Sequence, residues 1–312
     1  MKGLEINRAY FNEYGKKMIE EEFADIKHLL AAGSVGGGSE NFGYDDEISR
    51  DHDFEAGFCI FVPEGIDERR LFALERAYSK LPKEFMGLTR QRTSPVGGNR
   101  HGVIAIKDFY ISKCGSENGE LSVGRWLTIP DFYLAEATNG EMYFDNLGEF
   151  TAIRNKLLDM PKDVFKKRLA GALLIMKQSG QYNYPRMIAH GERAGAQLAV
   201  VEFVKSCIDA VFLLERRYKP YYKWVFRALE GLKTFSHLSV ELDFLLTGEN
   251  DAKTSAVKTA IIESVCGEIA EYLMANGMTK ATCHDLEKHA YSVNDSILDP
   301  SLRNANVLSA IV

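Results

Sequence analysis

Long apolar runs are missing from this chain, and no uninterrupted stretch reaches the ~18 residues that a membrane span requires. Prolines are few, at 8, and no low-complexity tract or internal repeat interrupts an ordinary globular composition. The five cysteines (Cys59, Cys114, Cys207, Cys266 and Cys283) are odd in number, scattered and never in a C-x-x-C. That usage excludes a disulfide framework and a zinc site and fits reduced thiols. Basic residues are also short: 38 Lys and Arg against 44 Asp and Glu leave a net charge of −6. That balance argues against a broad basic face for coating nucleic acid, without excluding nucleic acid or a local basic pocket for a triphosphate. The opening MKGLEINRAYFNEYGKKMIEEEF lacks the apolar core of a signal peptide. These absences predict a cytoplasmic protein with no membrane partner.

At 312 residues the chain has room for two domains. Apolar residues recur at helical spacing from Tyr10 to Ala32, and this helix is expected to stop at Gly33. A glycine-rich stretch follows, GSVGGGSENFGYDDEISR. Asp53 to Val62 reads as a buried strand closed by Pro63, and Asp67 to Leu81 as a helix. Gly102 to Ile111 reads as a second β-rich run, and Gly140 to Phe144 as a short third one. Strand signals then nearly vanish. Helical periodicity covers Asp163 to Gln178, Gly191 to Tyr218, Tyr222 to Lys233, Ser239 to Leu246 and Ala252 to Asn276, with Pro161, Pro185 and Pro220 as punctuation. The expected class is α+β: a small mixed-sheet domain over residues 1–150 and an all-helical bundle domain over 151–312.

The sharpest local feature is Ser49-Arg50-Asp51-His52-Asp53, leading into the apolar run Phe58-Cys59-Ile60-Phe61-Val62. Residues two apart on a strand project to the same side, so Asp51 and Asp53 are expected to act together, with His52 facing the other way. Paired carboxylates repel unless a cation sits between them, and hard oxygen donors of this kind suit Mg²⁺. Upstream, Gly33-Ser34 opens a loop in which backbone N–H groups and the Ser34 hydroxyl can approach phosphate oxygens. A D-x-D pair alone is commonly a solvated surface pair. The order Gly-Ser, loop, D-x-D, buried strand is much more specific.

That order resembles the signature of the polymerase-beta-like nucleotidyltransferase superfamily. More closely, the chain is similar to an uncharacterised bacterial family of nucleotidyltransferase-like proteins, through two long segments. They are Gly38-Ser39-Glu40-Asn41-Phe42-Gly43-Tyr44-Asp45-Asp46-Glu47-Ile48-Ser49-Arg50-Asp51-His52-Asp53 and Arg216-Arg217-Tyr218-Lys219-Pro220-Tyr221-Tyr222-Lys223-Trp224. The resemblance implies a nucleotidyltransferase core followed by a helical domain, with Asp51 and Asp53 as Mg²⁺ ligands and Ser34 near the phosphates of an NTP, ATP first. The gap from Ser34 to Asp51 is several residues longer than is usual in the superfamily. Its third carboxylate, on a later strand, is also missing from the position where Ile104 and Ile106 stand. Asp108 is the first candidate for that catalytic acid or base, with Glu136 and Glu141 behind it.

Cationic groups must stabilise charge on the leaving pyrophosphate. Arg50 lies beside the pair, Arg90, Arg92 and Arg100 lie in a nearby loop, and Lys223 opens a helix in the second segment. Arg216, Arg217 and Lys219 read equally well as structural residues around Pro220. Asp45, Asp46 and Glu47 read as extra metal ligands or as a solvated acidic turn. His284 and His289, five apart, read as surface or capping residues. The expected activity is transfer of a nucleoside monophosphate from an NTP to a hydroxyl or amine of an acceptor. Antibiotic-like small molecules are the first acceptor class, with a protein or a tRNA end behind them. The competing expectations are a nucleotide-binding regulatory protein without turnover and a helical adaptor that binds neither Mg²⁺ nor NTP.

Overall fold

The computed structural model describes residues 1–48, 55–89 and 100–310. Of the residues singled out above, Ser49, Arg50, Asp51, His52, Asp53, Arg90 and Arg92 lie outside the described residues. The chain divides into two compact units, Met1–Leu121 with Phe132–Asp159, and Ser122–Asp131 with Met160–Val312.

The first unit opens with helices α1 (Gly3–Tyr10) and α2 (Lys16–Glu22), joined by a π-helical turn at Phe11–Gly15. Gly15 is required there, because a Cβ would lie 2.4 Å from the Phe58 ring. Strand β1 (Ala31–Ser34) follows. The helix expected to run to Ala32 thus ends at Glu22. Alanine has high intrinsic helix propensity, but Ala31 and Ala32 are paired on both sides in a sheet, and tertiary pairing overrides propensity.

Next come β2 (Cys59–Val62), α3 (Glu68–Ser79), the short hairpin strands β3 (Glu84–Phe85) and β4 (Leu88–Thr89), then β5 (Gly102–Ala105) and α4 (Ile106–Cys114). Helix α3 begins where the Asp67 carboxylate accepts the Arg70 N–H at 3.0 Å, an N-cap. The run Gly102 to Ile111 is not one strand, since it turns helical at Ile106. Ile106, Phe109 and Tyr110 are buried, while Asp108 and Ile111 are exposed, which is helical spacing. Helix α5 (Val123–Thr128) belongs to the second unit; α6 (Asp131–Thr138), β6 (Glu141–Asp145) and α7 (Glu149–Leu158) follow it in the chain.

The four longer strands form one mixed sheet in the order β5-β2-β1-β6. β1 is antiparallel to both β2 and β6, whereas β2 and β5 are parallel. One row of residues crosses the sheet as Gly102, Cys59, Gly33 and Met142. The carboxyl end of β1 therefore meets the amino ends of β2, β5 and β6 at a single end of the sheet. One face carries Ile6, Tyr10, Phe11, Phe58, Ile60, Leu74 and Tyr78. Elsewhere Phe61 packs on Phe150 and Phe109, with ring centroids at 4.4 and 5.3 Å.

In the second unit, α8 (Lys162–Met176), a π-helical turn at Lys177–Asn183, α9 (Tyr184–Ala189) and α10 (Arg193–Leu214) lead to α11 (Val225–Glu230), α12 (Leu238–Thr247), α13 (Ala252–Ala275), α14 (Leu286–Asp295) and α15 (Pro300–Asn304). The mixture of helices with one small mixed sheet agrees with the α+β expectation at that level. Two lysines, Lys167 and Lys258, are fully buried and donate to amide and backbone oxygens. Lys167 Nζ donates to Asn294 Oδ1 at 2.9 Å and to the Ala305 carbonyl at 2.6 Å, at the carboxyl end of α15, where backbone acceptors are left over. Lys258 Nζ donates to Gln197 Oε1 and Asn250 Oδ1, at 3.1 and 3.2 Å. His289, read as a surface or capping residue, is instead buried on α14 and lies 2.5 Å from the Cys283 carbonyl through Nε2. Among the described residues, no helix is long and apolar enough to cross a membrane.

Candidate functional site

The end of the sheet where β1 stops is built around Ser34. Its hydroxyl, wholly buried, accepts from Asn7 Nδ2 at 2.9 Å and donates to Asn41 Oδ1 at 2.8 Å. Asn7 Oδ1 in turn accepts the Gly57 N–H at 3.1 Å, which ties the segment entering β2 to α1. Ser34 therefore anchors the glycine loop from inside, and its one hydroxyl proton is committed to Asn41. Gly33 is needed for close approach, because a Cβ there would lie 2.5 Å from the Glu141 carbonyl oxygen.

The loop after Ser34 uses glycine for its backbone, with φ of +98° at Gly36 and +120° at Gly38. Asn139 clamps Gly36 from both sides, accepting its N–H and donating to its carbonyl, each at 2.8 Å. Asn41 Nδ2 holds the Gly37 carbonyl at 3.0 Å. Glu136, a lesser candidate for the catalytic acid, lies against Gly37 and is paired with Lys113 at 2.6 Å. Lys113 was not singled out in the sequence, because its place beside the loop depends on the turn from β5 into α4.

Two more acids line the loop. Glu40 is buried with its carboxylate folded against Gly38, and burial pushes its pKa up despite the nearby His101 and Arg100. Asp45 is not part of a solvated turn: it is buried, and its Oδ2 accepts the Gly3 N–H at 2.9 Å at the start of α1. Glu141 sits opposite Ser34 on β6 and is ion-paired with Arg8. Cys59, at the start of β2, is held as a thiol, since burial pushes its pKa up to about 12.

Asp108 is not brought to this end. It is exposed in the first turn of α4, beyond the carboxyl end of β5, whereas Ser34 stands level with the amino end of that strand. The four residues of β5 itself, Gly102-Val103-Ile104-Ala105, include no carboxylate. What the structure does place at the mouth of β5 is His101, buried, with Nδ1 3.4 Å from Glu55 Oε1. Neither residue was singled out in the sequence; Glu55 is two residues after Asp53, and His101 directly precedes β5.

In the second unit, the basic residues of Arg216–Trp224 serve mainly structural contacts. The Arg216 guanidinium lies 3.5 Å from the centroid of the Phe165 ring. Arg217 donates to the Gly231 carbonyl at 2.8 Å, and Lys219 is ion-paired with Asp209. Lys223 is exposed, in a 3₁₀ turn ahead of α11 rather than on an α-helix, with Nζ 4.5 Å from the neighbouring Trp224 ring. Among the described residues, no group of three or more His, Cys, Asp or Glu side chains could hold a metal ion. The metal expectation therefore rests on Asp51 and Asp53, outside the described residues.

Comparison with known proteins reaches a different part of the chain. Residues 126–225 match a family described as a domain of unknown function, DUF4037. The match takes in β6, α7, α8, α9, α10 and the Arg216–Trp224 segment, but neither Gly33-Ser34 nor Asp51-x-Asp53. No curated protein matches the chain.

Proposed function

We propose that this chain is a Mg²⁺-dependent nucleotidyltransferase of the polymerase-beta-like kind, moving a nucleoside monophosphate from an NTP, ATP first, to a hydroxyl or amine of an acceptor. The observation that carries the reading is the layout of the sheet. Strand β1 ends in Gly33-Ser34, pairs antiparallel with the strand that follows Asp51-x-Asp53, and has the parallel strand β5 beyond it. In this reading Asp51 and Asp53 hold the metal, which when bound neutralises charge on the triphosphate. Ser34 fixes the loop through Asn41, Asn139 takes the Gly36 N–H, and the N–H groups of the loop after Gly36 are the ones this reading turns toward the phosphates. Arg50, outside the described residues, remains the cationic group expected beside the pair from the sequence. Antibiotic-like small molecules are the acceptors to test first, which is an argument from fold analogy.

Asp51→Asn and Asp53→Asn are expected to abolish Mg²⁺-dependent ATP binding and pyrophosphate release while leaving the far-ultraviolet circular dichroism unchanged. Wild-type binding and turnover in both variants would refute the reading. A second reading, a nucleotide-binding regulatory protein without turnover, draws on one observation: no carboxylate on β5, with Asp108 at the far end. It predicts NTP-dependent thermal stabilisation with no pyrophosphate released from any of the four NTPs.

A further inference from the structure

Transfer to a hydroxyl or amine needs a group that takes the acceptor's proton, and β5 offers no carboxylate for it. We propose that His101 is that general base and that Glu55 is its positioning residue, an inference that rests on the nucleotidyltransferase reading.

The geometry has three parts. His101 and Ser34 each stand one residue beyond the row Gly102, Cys59, Gly33, at the same end of the sheet. With β2 between their strands, their backbones are about 10 Å apart, two strand spacings. In-line displacement puts the attacking oxygen and the departing pyrophosphate on opposite sides of the α-phosphorus. A loop that holds the pyrophosphate end at β1 therefore calls for a proton acceptor on the other flank, at β5.

Second, His101 has a seat made for it. Its ring lies over Gly57, where a Cβ would come within 2.4 Å of Nδ1, and the Gly57 N–H is itself pinned to Asn7. Third, the ring is oriented. Glu55 Oε1 lies 3.4 Å from Nδ1, and a carboxylate oxygen accepts, so the tautomer that donates to Glu55 from Nδ1 is the one that leaves a lone pair on Nε2. Among the described residues, Glu40, from the turn after the glycine loop, and the adjacent Arg100 also carry charge close by.

The step balances without a further reactant. The acceptor oxygen or nitrogen gives its proton to His101 Nε2 and forms a bond to the α-phosphorus. The bond between that phosphorus and the bridging oxygen breaks, and its electron pair leaves with pyrophosphate.

The test compares wild type with His101→Gln, His101→Ala and Glu55→Gln under Mg²⁺ and ATP. His101→Gln is expected to bind ATP as wild type does and to lower kcat for pyrophosphate release about 10²–10⁴-fold, the range for loss of a general base. Added imidazole should restore part of that kcat in His101→Ala. Independently of turnover, the ¹⁵N shifts of His101 in wild type should report a protonated Nδ1 and a bare Nε2, and Glu55→Gln should loosen that preference. Unchanged kcat in His101→Gln, loss of ATP binding along with turnover, or the opposite tautomer in wild type would each overturn the proposal. Failure of the wider reading looks different, because ATP would then neither bind nor turn over in wild type, and the inference falls with it.

Discussion

Replacing Gly140 with alanine tests whether the end of β1 is held as closely as the structure has it. Gly140 precedes β6 with φ of +67°, and an added Cβ would lie 2.1 Å from the Ser34 carbonyl oxygen and 2.9 Å from Val35 Cα. Both contacts are backbone, so no side chain can swing aside. Left-handed backbone costs an L-residue about 1–2 kcal/mol, and forced overpacking adds about 1–3 kcal/mol. Gly148, on the other side of β6, supplies the control: its φ is +73°, but a Cβ there meets nothing within 4 Å. Gly148→Ala should therefore carry only the backbone cost. At about 2–4 °C per kcal/mol for a unit of this size, Gly140→Ala should melt about 2–12 °C below Gly148→Ala. Thermal unfolding followed by far-ultraviolet circular dichroism measures the difference. Tryptophan fluorescence adds an internal reference, because Trp126 and Trp224 both belong to the second unit. Equal midpoints for the two alanine variants would refute the close approach at Ser34.

Two pH effects follow from the same physics. Glu40 has its pKa raised by burial, so its folded form holds a proton that the unfolded chain has released above the ordinary glutamate range. Stability should therefore fall as pH rises from about 4.5 through that raised value, and Glu40→Gln should flatten this part of the denaturant-midpoint profile; an unchanged profile would count against burial as the cause. Asp251 behaves in the opposite sense. It caps α13, and hydrogen bonds from the Thr254 side chain first, then from the Thr254 and Lys253 N–H groups, hold its pKa down to about 2. Its contribution should persist above about pH 4 and disappear as pH falls through about 2, a loss that Asp251→Asn removes and that acid titration of the two proteins measures.

The longer amphipathic helices were legible because burial period and end signals agree in them. Asp67 before α3 and Asp251 before α13 are N-caps, whereas the short α9, with Pro185 in its first turn, reads in sequence only as a break between helices. Strand β1 was not legible, since Leu29-Leu30-Ala31-Ala32 continues a helical pattern and only pairing partners far along the chain make it a strand. The switch at Ile106 was in principle readable: Ile106, Phe109 and Tyr110 have helical spacing, but the β-branched run before them disguised it. Ser34 stood out beside its glycine neighbour, though the partners that bury it, Asn7 and Asn41, did not, because single asparagines carry no pattern. His101 was hidden for the same reason. Its meaning comes from Gly57 and Glu55, on a different strand entrance.

The sheet's strand order has a consequence for synthesis on the ribosome. β1 lies between β2 and β6, yet β6 is the last of the four strands to be made, after both β2 and β5. Until it arrives, one flank of β1 is an open edge, and such an edge is a template for pairing with another chain. Most of that edge strand is alanine and glycine, with no large apolar side chain to draw in a stranger. The small residues that let Ser34 come close to its neighbours thus also make the waiting strand a poor seed for aggregation.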